Sequence, residues 1–430
     1  MSLGTLGIDA LQDGQFNRAR SLLEEMHTSW QATGDPHILE GITMLLGIVC
    51  FVQGELHQAI RYFRMILDNT NLPESRPASL GAHLGLSQIY YEWNDLTMVK
   101  QQIQATLDLG KQFPTIPQEV LEMPIAIVLA CMQHIEGETE PAIERLTKLL
   151  PELRSRSDKF SLFFYQEALS WLVRLSQAHG DHATARDWVH DFLDQEQPVS
   201  PVPNPLLLEA PAGPERPAVQ SQEDSAEGGL DVPFVFQEQR ALLQARVLLA
   251  QGDAITAVAI FNDLLPSAQS AGRGRSVLQM RLLLAQVYAA CSRREEAHQM
   301  LLEALKLGYI GGYLRLFLDE GEELLQLLQD LMSSLRGQPL RGYAQTILQA
   351  VAPVANKPSL PVVVETYEPL SMQEQRVLRL LAAGLSNIEI ARELVVSINT
   401  VRSQVQSIYR KLQVHNRHAA SAAARNLHLL

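Results

Sequence analysis

The chain has 430 residues, 46% of them hydrophobic and 19% charged, which excludes a disordered or collagen-like polypeptide and supplies a large core. Its 35 Lys+Arg against 48 Asp+Glu give a formal charge of −13, and that average argues against a protein coated in nucleic acid or held on an anionic membrane. Length alone points to roughly three domains, at about 150 residues each.

At the N-terminus no basic stretch precedes a hydrophobic run, so no secretion signal is expected. The longest apolar runs, such as Ile42 to Val52, fall short of the roughly 20 residues a bilayer span needs. Cys50, Cys131 and Cys291 lie far apart with no CxxC pair, as expected of reduced packing residues in a cytoplasmic protein.

One pattern recurs along the first 300 residues: a turn residue, then a small residue five positions later, within helical hydrophobic spacing. It appears as Gly14/Ala19, Gly54/Ala59, Gly137/Ala142, Gly180/Ala185 and Gly252/Ala257, with looser copies at Asn94/Val99 and Ser292/Ala297. Successive turn positions are separated by 40, 40, 43, 43, 72 and 40 residues. Glycine tolerates the left-handed conformation that ends a helix. An alanine early in the next helix lets the two approach closely. Each unit therefore reads as an antiparallel helix pair, and stacked pairs make a superhelix. The repeat exceeds the roughly 34 residues of a standard tetratricopeptide unit, which predicts lengthened helices.

The spacing of 72 has a local cause. Residues 198–233 hold eight of the 22 prolines, with Gly228 and Gly229, and cannot form a helix interior. They are expected to be an insertion inside the repeat array. Beyond the last repeat, helical stretches at about 313–335 and 341–351 precede a Pro/Val-rich connector at 351–366. The expected organisation is all-α: a helical-repeat sensing or docking domain over 1–350, this linker, and a small four-helix domain over 367–430.

The tail parses into short helices. Ser371 to Glu374 and Ser386 to Glu389 are two capping boxes. Gly384 separates the helices they open, and Asn416 can cap a fourth. Between them Val395 to Ile398 is a tight connection to a helix of about 399–412, where Val401, Val405, Ile408 and Leu412 form one apolar stripe. Arg402, Ser403, Gln406 and Arg410 occupy its other face. Two helices joined by so short a turn, the second presenting Arg and amide side chains, make a helix-turn-helix. From Glu365 onward there are five acids and eight bases, a charge of +3 that leaves −16 on the rest. No acid follows Glu393.

The tail resembles the LuxR-type DNA-binding domain in the strings Gly384 to Ala391, Thr400 to Arg402, Ile408 to Leu412 and Asn416-Arg417. It departs at Gln373, where an Arg is usual, and at Gln404, where a His is usual. The resemblance implies binding to double-stranded DNA, usually as a dimer through the last helix. By position in the motif, Arg402, Ser403 and Gln406 would face bases, while Thr400, Arg410 and Lys411 would lie nearer phosphates. Gln404 would modify phosphate contact or base preference. Ala420, Ala423, Ala424 and Leu427 would supply the dimer surface. The repeats resemble the superhelical effector-binding domain of MalT-like regulators, and the segment Gly312 to Gly321 resembles its end.

Those relatives carry an N-terminal nucleotide-binding domain. Here no GxxxxGK[ST] occurs, and Gly272 to Arg275 lacks the Lys and the preceding strand. With the short first helix before Gly14, this points to a C-terminal piece of a longer regulator. The histidine-rich turn of His179, Asp181, His182, Asp187 and His190 reads as a solvated face rather than a metal site, since Arg186 stands within its helical stripe. Trp93, Trp171 and Trp188 read as core or groove walls. Neither catalysis nor a cofactor is expected. The expectation is a cytoplasmic DNA-binding transcription regulator, without a membrane, whose repeats sense a small-molecule or peptide effector. The alternatives are a tetratricopeptide interaction scaffold and a fragment of a signalling ATPase regulator.

Overall fold

The computed structural model describes residues 3–31, 36–68, 76–112, 118–155, 159–193, 234–335, 340–350, 372–382, 385–394, 396–411, 417 and 420. Among the described residues every regular element is a helix, so the fold class is all-α. Contacts divide the chain into two units, Met1–Ala297 and His298–Leu430.

The first unit contains α1 (Leu3–Gln12), α2 (Phe16–Gln31), α3 (Pro36–Val52), α4 (Leu56–Asp68), α5 (Arg76–Glu92), α6 (Leu96–Gly110) and α7 (Gln118–Ile135). It continues through α8 (Thr139–Arg154), α9 (Lys159–Ala178), α10 (His182–Leu193), α11 (Phe234–Ala250), α12 (Ala254–Ser270), α13 (Gly274–Ala290) and the start of α14 (Arg294–Gly311). Every helix pair turns in the same way. Gly14, Gly54, Gly137, Gly180 and Gly252 have φ between +69° and +91°, and Asn94 and Ser292 take +58° and +59°. The following N–H returns to the carbonyl five residues back, as in Gln15 to Ala10 (2.8 Å), Glu55 to Cys50 (2.8 Å) and Arg293 to Tyr288 (2.8 Å). This closes the orphan carbonyls of the first helix. The small partners Ala19, Ala59, Val99, Ala142, Ala185, Ala257 and Ala297 are each at most 1% exposed. The turn and the close approach therefore coincide in all seven copies.

The odd-numbered helices from α3 to α13 also touch their odd neighbours, and α13 reaches α3, so they form the inner layer. The expected insertion at 198–233 lies outside the described residues. Stacking continues across it: Gln239 Nε2 on α11 donates to Glu167 Oε1 on α9 (3.2 Å), and Gln177 Nε2 donates to the Arg246 carbonyl (3.4 Å).

A polar seam joins the first repeat to the turn between α12 and α13. Arg273, only 2% exposed, donates from Nε to Glu238 Oε1 (2.6 Å) and from Nη1 to the Gly14 carbonyl (3.0 Å). Asn17 donates to the carbonyls of Ala271 (3.3 Å) and Ser270 (3.2 Å). Gly274 lies so close to the second repeat that a Cβ there would stand 2.1 Å from the Gln53 carbonyl oxygen. Arg275 pairs with Glu92 at 3.0 Å.

The second unit holds the rest of α14, then α15 (Arg315–Leu318), α16 (Glu322–Leu331), α17 (Leu340–Ala350), α18 (Met372–Ala382), α19 (Asn387–Glu393) and α20 (Ile398–Lys411). Tyr313, Phe317, Leu324, Leu328, Tyr343 and Ile347 are its first cluster. The Tyr343 hydroxyl donates to the Tyr313 carbonyl, and its ring meets Phe317 edge-on at 5.9 Å. The division between units falls inside α14, because these rings gather on its C-terminal half. The expected linker at 351–366 lies outside the described residues.

Candidate nucleic-acid interface

Helices α18, α19 and α20 pack around Val377, Leu378, Leu381, Ile390, Ala391, Val401, Val405 and Ile408, all buried. The apolar stripe of α20 follows from its spacing, since residues three and four apart share a helix face. Ser386 opens α19 through a complete capping box. Its N–H donates to Glu389 Oε2 (2.7 Å), and the Glu389 N–H donates back to Ser386 Oγ (3.4 Å). Hydrogen bonding from the Ser386 hydroxyl first, and from its backbone N–H second, holds the Glu389 carboxyl below its ordinary value. The capping box expected at Ser371 and the stop and cap expected at Gly384 and Asn416 lie outside the described residues.

The connection to α20 is equally determined. Val396 N–H returns to the Ala391 carbonyl at 3.0 Å. Ser397 then caps α20: its hydroxyl accepts from the Thr400 N–H (3.0 Å) and lies 2.8 Å from Thr400 Oγ1. The helix begins at Ile398, one residue earlier than its apolar spacing indicated.

The side chains expected at DNA fall into three groups. Thr400, Arg402, Ser403, Gln406 and Arg410 are exposed on the outer face of α20. Ser403 Oγ donates to the Thr400 carbonyl at 2.9 Å, leaving its lone pairs as acceptors. Gln404 is half-buried. Lys411 is drawn inward, with its ammonium 2.8 Å from Glu374 Oε2 and side-chain exposures of only 12% and 8%. Its charge serves the tail's own packing, so the expected phosphate contact at this position has a competitor.

Of the expected dimer surface, Ala420 is described, and it is buried. Ala423, Ala424 and Leu427 lie outside the described residues.

Sequence reading missed Arg417, whose Nη2 donates to the carbonyls of Leu381 (2.6 Å) and Leu385 (2.7 Å). A guanidinium there satisfies one carbonyl in the last turn of α18, which the helix cannot pair itself, and one in the connection to α19. The motif string contains this arginine, but nothing in its spacing names the carbonyls. Arg376, Arg392, Arg402 and Arg410 all stand exposed. The carboxylate of Glu374 pairs with Lys411, and that of Glu389 accepts the cap hydrogen bond.

The family comparison agrees with this geometry. A model described as the MalT-like TPR region matches residues 1–334. The chain belongs to the MalT-like TPR family. A second model, described as bacterial regulatory proteins, luxR family, matches residues 368–424, so the tail is a luxR-family DNA-binding domain. In this MalT-like chain the two matches leave residues 335–367 between them, a stretch that contains the expected linker. Among the described residues no helix is long and apolar enough to cross a membrane.

Proposed function

We propose that this chain is a cytoplasmic transcription regulator, without catalysis or a cofactor of its own, whose helical repeats sense an effector and control the DNA-binding tail. The observation that carries the DNA-binding half is the outer face of α20, where Arg402, Gln406 and Arg410 stand exposed on a rigidly capped helix. Arginine and glutamine are suited to base edges in the major groove, and arginine also to phosphates. The protein binds DNA as a dimer through its last helix, using Ala423, Ala424 and Leu427.

Sensing is supported by the chemistry of the inner helices. Gln166, Gln239, Arg246, Gln279 and Gln286 are buried there. Arg174 lies over the Trp171 ring at 5.1 Å, and Tyr91 meets Trp171 edge-on at 6.1 Å. Polar and aromatic groups in such a layer suit a small molecule or peptide with both hydrogen-bonding and apolar surface. Control is supported by one hydrogen bond within the second unit: the Tyr309 hydroxyl on α14 donates to the Lys411 carbonyl at 3.0 Å. It caps the C-terminal end of the helix that reads DNA.

The test is selection of duplex DNA from a randomised pool by the full chain at moderate salt. Enrichment of one sequence is expected, and enrichment of none would remove the regulator reading.

A further inference from the structure

The exposed face of α20 carries an apolar side chain in line with its polar ones. Ile398, Arg402, Gln406 and Arg410 follow one another at intervals of four residues, and all are exposed. Ile398 is 39% exposed although it is β-branched and apolar. It is also fixed in place. Ser397 caps the helix just before it, and the Val401 N–H reaches the Ser397 carbonyl at 3.2 Å. Of the neighbouring hydroxyls, Ser397 Oγ and Thr400 Oγ1 lie 2.8 Å apart and Ser403 Oγ donates to the Thr400 carbonyl. The first turn of the helix therefore presents a fixed hydrocarbon beside the exposed Asn399 and Thr400.

In a helix-turn-helix the N-terminal residues of the second helix reach the bases. The apolar group displayed in the major groove of unmodified DNA is the 5-methyl of thymine. A rise of 1.5 Å per residue places Ile398 about 6 Å from Arg402 along the axis, close to two base-pair steps of 3.4 Å. We propose that Ile398 is a specificity-determining residue that reads the 5-methyl group of a thymine one or two steps from the base contacted by Arg402. The contact is continuous with the polar stripe and rests on the DNA-binding reading above.

The test begins with the operator selected by the full chain. Each thymine of a half-site is replaced singly by uracil, which deletes only the methyl group. At one position affinity should fall about fourfold, the factor given by about 0.8 kcal/mol for a buried methyl-sized group. Ile398→Ala should bind the thymine and uracil operators equally at that position, while losses at other positions persist. A parallel operator with 5-methylcytosine there, compared with cytosine, asks whether the methyl is read from either pyrimidine; a gain in the wild-type chain alone supports the same contact. The proposal is overturned if no uracil substitution separates wild type from Ile398→Ala, or if the variant keeps the full methyl preference. Failure to select any operator is a different result, and it removes the DNA-binding reading together with this one.

Discussion

The ammonium of Lys411 and the carboxylate of Glu374 meet at 2.8 Å with little solvent around either, while Arg402 four helical positions from Ile398 remains in solvent. The two cations of one helix should therefore fail in different ways when removed. Lys411→Ala leaves Glu374 buried and uncompensated, and we expect a loss of about 3 kcal/mol in the stability of the tail. Adding Glu374→Gln should recover part of it, as read by urea unfolding. Arg402→Ala should leave the unfolding curve in place and lose about 1–3 kcal/mol of discrimination at one base pair. If Lys411→Ala instead keeps its stability and weakens all sequences alike, the lysine belongs to the phosphates. Glu389 makes a related prediction in pH. Its carboxyl is held low by the Ser386 hydroxyl and backbone, so its contribution is complete above the ordinary value of 4.5 and is lost as pH falls through the depressed one. Glu389→Gln should flatten the acid limb of the tail's stability curve.

At the scale of the element, the turns explain which parts of the fold were legible. A left-handed residue and a wholly buried small residue five positions later are both local demands, so seven copies show in the sequence, including the looser ones at Asn94 and Ser292. The capping box at Ser386 and Glu389 is legible for the same reason. The Lys411–Glu374 and Arg417–Leu381 bonds join residues 37 and 36 apart, and no spacing rule reaches that far. Ala420 shows a different limit. Periodicity reveals a small-residue face but not whether its partner is the same chain or a second copy. The turns also carry a stability prediction. Ser292 occupies φ +59°, a conformation costing an ordinary side chain about 1–2 kcal/mol. Ser292→Gly should relieve it, offset in part by the greater freedom of glycine in the unfolded chain, for a net gain of about 0.5–1 kcal/mol. Asn94→Gly should change little, because asparagine tolerates this region. Thermal unfolding of the two variants distinguishes them, and an equal response would mean that backbone strain is not the cause.

Over the whole molecule, the net charge of −13 conceals −16 before residue 365 and +3 from it onward. The first average argued against nucleic acid, whereas the local one falls on the unit whose exposed arginines face outward from α20. An acidic repeat region attached to a basic reader has a consequence for binding. At low ionic strength its field extends about 30 Å at 0.01 M salt, and should oppose the approach of a polyanion, while about 8 Å at 0.15 M leaves only near neighbours to act. Removing residues 1–350 should therefore raise DNA affinity most at low salt, and the curves for full chain and tail should converge as salt increases. The tail should show the steeper slope, set by counterion release from its own phosphate contacts. Equal dimerisation of both proteins must be verified by sedimentation, since loss of a dimer contact would lower affinity independently of charge. If the shortened chain binds no better at low salt under that condition, the acidic repeats do not repel DNA, and control of the tail must act through contacts such as Tyr309 with Lys411.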